Sequence, residues 1–501
     1  MNLVVFSIHS GEIQPDTNPM KSGGPEESGK SIRIGLFGIG LDTYWDQFEG
    51  FKERLLGYQT RIAEKMAAFD VEIVNAGLVD KPDTARQTAE LFREKGVELV
   101  FLYISTYALS HIVLPVAMGL GAPLVILNLQ PVPAIDYKTF NALGDRGRMT
   151  GEWLAHCQAC AVPEIASVFN NAHVSYDIIT GWLEEDAVWQ EIGAWCEAAR
   201  VRALVQNTRI GILGHYYCGM LDVYTDVTRL AAVFGSHFEL LEMDALKTIW
   251  DSAGDAEIAG ERRRFENHFA VSPECDEYEL NRAARTSFAL DRLVKEKRLG
   301  AMAYYYEGSP GNDHENIVSS VIAGNTLLTA AGVPVAGECE VKNVVAMKIM
   351  DCFNAGGSFS ELYAMDFNDD VVLWGHDGPA HPVIAEGKVA LVPLPVYHGK
   401  PGRGLSIQMS VAHGPVTFLA VVQGPEGSTF LLCAEGESVP GPILEIGNTN
   451  SRYRFSVPAR EFINRWSKAG PAHHCAIGVG HIAGKIEKLA RLLGIECRKI
   501  G

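Results

Sequence analysis

The sequence has no run of about 18 uncharged apolar residues, the length a membrane-crossing helix requires. Its nearest approach, Tyr107 to Leu129, is interrupted by His111, two prolines and two glycines, and reads as helix, turn and strand. It also lacks a block of basic residues. The densest spots, Lys295-Glu296-Lys297-Arg298 and Arg262-Arg263-Arg264, are flanked by acids, and the formal net charge is −18. Such a chain repels phosphate backbones, so no nucleic-acid partner is expected. Met1 to Ser7 has no preceding Lys or Arg and too short an apolar run for a signal peptide. Ten cysteines are scattered without a disulfide framework, which predicts free, mostly buried thiols and a reducing cytoplasm. Cys157 and Cys160 form a C-x-x-C with no second pair at zinc spacing; a zinc or redox role is the alternative there. No fixed-period repeat occurs.

What is present is an ordinary globular composition, 47% hydrophobic and 21% charged over 501 residues, enough for roughly two to four domains. Residues Gly11 to Ser31 are rich in Gly, Pro, Ser and Glu and read as a linker, so residues 1–31 are set apart as an extension. Apolar runs and helical stretches then alternate. Strands are expected at Ile32–Gly38, Val71–Val74, Leu99–Ile104 and Pro123–Leu129, with helices at Phe51–Phe69, Thr84–Lys95 and Leu109–Gly119. The pattern resumes with strands at Arg209–Gly214 and Ala301–Tyr306 and helices at Asn316–Ala331 and Val341–Cys352. Short β-type runs separated by Gly, Pro and His-Gly turns follow from Val371 to Ser456, then a helix at Gly480–Leu493 and an apolar turn. The fold class expected is α/β: two tandem Rossmann-like doubly wound domains, 32–207 and 208–355, followed by an antiparallel β-barrel-like domain, 356–501.

Chemistry-bearing residues cluster where apolar runs end. Tyr304-Tyr305-Tyr306-Glu307 closes a strand before a Gly-Ser-Pro-Gly loop, on the side where parallel sheets bind ligands. Glu338 and Glu340 follow Ala336-Gly337 at a helix start, where the helix dipole favours carboxylates; Glu340 reads as such a helix-start charge. Glu361 follows a Gly-Gly-Ser turn, His376 follows an apolar strand and Gly375, and His473-His474 opens another apolar run. Two carboxylates and two imidazoles suit Mn²⁺, Co²⁺ or Fe²⁺ better than Mg²⁺, which prefers oxygen alone.

These segments resemble one family. Gly337-Glu338-Cys339-Glu340-Val341-Lys342 resembles the motif of the first metal glutamate in L-arabinose isomerases. Gly356-Gly357-Ser358-Phe359-Ser360-Glu361 resembles the turn carrying the second, Asp370 to His376 the strand carrying the first metal histidine, and Ala472-His473-His474 the motif carrying the last. The resemblance implies an arabinose/fucose-type aldose–ketose isomerase acting on a pentose or hexose, with two Rossmann-like domains and a β-barrel-like domain. It also implies Mn²⁺ or another divalent ion on Glu338, Glu361, His376 and His474, with His473 as the fallback ligand. The partners it implies are a sugar and further copies of the chain, in a trimer or hexamer with active sites at subunit interfaces.

The proton transfer expected is a 1,2-shift through a cis-enediol, with Glu338 and Glu361 as the two acid–base groups and the choice of base left open. Tyr306 and Trp45 could wall off or stack on the sugar. Met220 is expected to line the pocket, because Tyr217-Cys218-Gly219-Met220 resembles the family's Asn-Met loop; a core or loop methionine is the alternative. The chain departs from the family at Asp42-Thr43-Tyr44-Trp45-Asp46-Gln47 and at Pro131 to Asp136. Asp42, Tyr44, Trp45 and Asp136 are therefore the expected determinants of which sugar is taken. Two other readings remain open: a fucose-type or other sugar isomerase on the same scaffold, and a metal-free sugar-binding protein.

Overall fold

A computed structural model describes residues 32–308, 311–397, 400–401 and 403–501. The extension expected over residues 1–31 lies outside the described residues. The first sheet has five parallel strands: Arg33–Ile39, Glu72–Val79, Leu99–Tyr103, Leu124–Gln130 and Tyr176–Trp182. Numbered within this sheet, their spatial order is 2-1-3-4-5, a doubly wound arrangement. The central strands are largely apolar because both faces are covered. Phe101 and Tyr103 pack with Ile62, Met66, Val188 and Ile192 on one face; Val100 and Leu102 pack with Phe92, Val113, Ile165 and Phe169 on the other. A second parallel sheet runs Val335–Ala336, Ala301–Tyr305, Arg209–Gly214, His237–Leu241.

The last third closes into a six-stranded antiparallel barrel. Its circuit is Gly414–Gln423, His474–Val479, Gly356–Asp366, Val371–His376, Thr449–Phe455 and Thr429–Val439, which pairs back with Gly414–Gln423. The helix Val341–Cys352 is buried at every position but Asp351, and Val345 and Met350 join a core shared with Leu419 and Ala476 of the barrel. The helix thereby joins the turn after Ala336 to the barrel. The other barrel core gathers Trp374, Phe418, Tyr453, Phe462 and Trp466. Phe418 is fully buried, with ring centroids 5.3 Å from Trp374 and 5.0 Å from Tyr453. Phe418→Ala should cost about 3–5 kcal/mol, because a ring-sized cavity is left among rigid aromatic neighbours. A denaturation midpoint indistinguishable from that of the parent would contradict this packing argument.

Three local expectations are corrected. The helix expected over Asn316–Ala331 is two helices, Asp313–Val318 and Ile322–Ala330. Ser320 lies at the break, and its hydroxyl contacts the Ile317 carbonyl at 2.8 Å and the Thr286 hydroxyl at 2.7 Å, side-chain bonds that compete with the helix. The closing apolar turn includes a strand, Glu496–Ile500, parallel to Thr429–Val439. Cys157 and Cys160 are not free thiols but a disulfide, since the helix start at Gln158 brings their Cα atoms to 5.5 Å. Among the described residues no helix is long and apolar enough to cross a membrane.

Candidate metal centre

The turn after Val335–Ala336 is forced into an uncommon shape. Glu338 and Cys339 both take left-handed backbone angles, φ +54° and +58°. Each such residue costs of order 1–3 kcal/mol and persists only where its surroundings impose it. Here the Cys339 amide donates to the Tyr304 carbonyl at 2.9 Å and the Glu340 amide to the Gly337 carbonyl at 3.0 Å. Gly337 is small for a visible reason: a Cβ there would lie 3.1 Å from the Phe359 ring and 3.8 Å from the His376 ring.

Three neighbouring barrel strands supply the other groups. Glu361 is paired across the sheet with Gly375 on one side and His474 on the other, and His376 follows Gly375. Register therefore sets Glu361 directly beside His474, with His376 at the end of the third strand, one residue past Glu361's other partner. His376 Nε2 lies 3.9 Å from Glu338 Oε1, and His474 Nε2 lies 3.4 Å from Glu338 Oε2. Donor atoms of Glu338, His376 and His474, all buried, fall within 4.8 Å of one another, as do those of Glu361, His473 and His474. Ligands each about 2.0–2.5 Å from one ion are at most about 5 Å apart, so both triads have the spread of a metal site. Glu338 Oε2 and His474 Nε2 are buried without a hydrogen bond. Orphaned acceptors in a mixed oxygen and nitrogen set are what a divalent cation would satisfy.

Burial by itself would raise the Glu338 carboxyl, but His473, with Nε2 3.3 Å from Oε2, and the charges of His474 and His376 outweigh it and hold the group at about 2. His473 differs from His474. It is partly exposed, its Nδ1 lies 2.6 Å from Asp222 and its Nε2 3.3 Å from Glu338. Burial disfavours its charge, yet those two carboxylates raise it to about 9. His474 is fully buried beneath the Phe359 ring, 4.3 Å away, and is common to both triads.

Glu340 corrects the sequence reading. It makes no side-chain cap; its Oε2 lies 2.6 Å from His474 Nδ1, and it is 1% exposed. Lys342, also buried, places Nζ 3.7 Å from Glu340 and donates to the Asp222 carbonyl at 2.7 Å. The loop that carries Met220 thus borders the cluster through Asp222 and through Tyr217, whose amide donates to the Glu338 carbonyl at 3.4 Å. Met220 itself is half-buried in that loop. Asp222 carried no sequence signal beyond its charge, and Glu340 only its place two residues after Glu338 at a helix start.

The remaining candidates are held by local contacts of their own. The Glu307 carboxylate accepts from the Tyr305 hydroxyl at 2.9 Å, and the Tyr306 ring sits between His215 and His314, at 5.7 and 5.4 Å. On the first sheet's unit, Asp42 and Tyr44 form a short 3-10 turn, and Trp45 Nε1 donates to Asp80 at 2.9 Å. Asp136 caps the helix Tyr137–Asn141, accepting from the amides of Lys138 and Thr139.

No protein-family model matches the chain. An L-arabinose isomerase from Nocardioides sp. is 23% identical over 66% of this chain and 68% of its own length. The chain is similar to an L-arabinose isomerase. That similarity supports the resemblance to the arabinose isomerase superfamily carried by the four motifs.

Proposed function

We propose that the protein is a metal-dependent aldose–ketose isomerase of the arabinose isomerase kind, acting on a pentose or hexose. The convergence of Glu338, His376 and His474, from a strained turn and two barrel strands, carries this reading. Glu338, Glu361, His376 and His474 are the proposed ligands of Mn²⁺ or a similar divalent ion, with His473 held beside them by Asp222. When bound, the ion would supply Lewis acidity toward the sugar's C1 and C2 oxygens.

The chain's own groups then divide the proton work. Glu338, facing three imidazoles, is the carboxylate proposed to take the proton from carbon, a step that calls for a water-poor pocket. Glu361, on the barrel strand paired with that of His474, is the second carboxylate, for the hydroxyl proton. Tyr306, Glu307 and Met220 are proposed to contact the sugar from the second sheet's loops.

The test is direct. The purified protein is loaded with Mn²⁺ or Co²⁺, offered a panel of neutral aldoses and ketoses, and assayed for interconversion. Failure with every sugar and both ions would overturn the proposal.

The choice of sugar is assigned to the first sheet's loops, Asp42 to Gln47 and Pro131 to Asp136. They would meet a neighbouring subunit's site in the trimer or hexamer that the family resemblance implies. Asp42→Ala and Trp45→Ala should each raise KM or change the preference between sugars by about 10-fold or more, with Mn²⁺ affinity unchanged. Parental KM values for every sugar in both variants would remove these loops from the site.

A further inference from the structure

The C-x-x-C pair is untouched by the isomerase reading. Cys157 is the residue before the helix Gln158–Asn171 and is buried; Cys160 lies one turn in and is exposed. A ring closed between residues only three apart constrains the unfolded chain less than a long loop does, so stapling the fold is a weak reason for this bond.

The turn is in any case held by other contacts. Buried Gln158 donates to the Ser105 and Ala155 carbonyls at 3.0 and 2.9 Å, and Thr106 donates to the Leu154 carbonyl at 2.8 Å. His156 Nδ1 lies 2.9 Å from the Glu152 carbonyl. Opening the disulfide therefore leaves both cysteines on a fixed turn, near enough to close again.

From this geometry we propose that Cys157–Cys160 is a reversible thiol–disulfide exchange site for small thiols and disulfides. An incoming thiolate approaches the pair from the side of Cys160, the exposed member. Its attack forms a mixed disulfide at Cys160, breaks the bond to Cys157 and releases Cys157 as a thiolate. That thiolate appears at the helix N-terminus, where first-turn amides and the helix dipole stabilise negative charge. A second external thiolate attacks the external sulfur of the mixed disulfide, leaving as the external disulfide and freeing Cys160 as a thiolate. Two electrons pass from two external thiols to the pair, and excess external disulfide reverses the sequence.

The experiment uses the full chain, equilibrated without denaturant in glutathione or dithiothreitol mixtures of graded reduced-to-oxidised ratio. Thiols are trapped with an alkylating tag, and the peptide holding both cysteines is weighed. It should pass from no tags to two in one reversible two-electron transition. Exposed Cys218 serves as the control that tags whenever it is reduced. In Cys160→Ser, a change at an exposed position, that transition should vanish and Cys157 should carry a single tag. Two findings would each overturn the proposal: a pair that stays closed in excess reduced dithiothreitol until the protein is unfolded, or a pair that takes two tags even in excess oxidised glutathione.

Discussion

Glu338→Gln is expected to lower turnover of the best sugar by about 10²–10⁴-fold, the range for losing a positioned acid–base group. The change keeps the side chain's shape in a site that is 8% exposed, so the fold should survive. What it removes is the negative charge facing three imidazoles. His473 Nε2 and His474 Nε2 lie 3.3 and 3.4 Å from Glu338 Oε2, and His376 Nε2 lies 3.9 Å from Oε1. An amide cannot take up a proton from carbon, and it is a poorer partner for a divalent ion than a carboxylate. Calorimetric Mn²⁺ titration should therefore show weakened binding alongside the kinetic loss. An unfolded variant would reveal itself in the circular dichroism spectrum. A folded variant keeping most of the parental activity would strip Glu338 of both proposed roles.

That Glu338 and His376 stand out in the sequence is due to the glycines before them. Gly337 is required by the approach of Phe359 and His376, and a Cβ at Gly375 would overlap the Thr449 carbonyl oxygen. Close packing at the site is thus written in residues adjacent to the ligands. The central strands of the first sheet were equally legible, because Leu99–Tyr103 is buried at all five positions and reads as an unbroken apolar run.

Edge strands are the counter-case. Tyr176–Trp182 and His237–Leu241 close the edges of their sheets, are largely unburied and carry polar residues, so neither shows an apolar run. The strand Gly356–Asp366 is masked differently. It opens with Gly356 and Gly357 at φ +90° and +109°, which reads as a turn, and its second half is partly exposed. Glu361 consequently looked like a residue after a turn, whereas it lies mid-strand between Gly375 and His474. The role of Glu340 was hidden for another reason. A carboxylate at a helix start looks the same whether it caps that helix or reaches His474, 134 residues later in the chain.

Glu340→Gln is the second change with a large expected effect, and it tests that long-range contact. A carboxylate on the far nitrogen of a ligating imidazole fixes the tautomer and ring orientation and makes the metal-facing nitrogen more basic; losing such a partner typically costs 10–100-fold in metal affinity or activity. The Glu340 carboxylate lies 2.6 Å from His474 Nδ1, so Nε2 is the nitrogen turned toward Glu338. Glutamine can still accept a hydrogen bond there, but without charge. It also leaves the buried Lys342 ammonium, 3.7 Å from Glu340, with the Asp222 carbonyl and the Thr225 hydroxyl as its polar contacts among the described residues. Mn²⁺ affinity should therefore fall by about 10–100-fold. Saturating Mn²⁺ should restore much of the turnover, in contrast to Glu338→Gln, where the acid–base group itself is gone. A Glu340→Gln protein that binds Mn²⁺ as the parent does would show that His474 is oriented by its strand and by Phe359 alone.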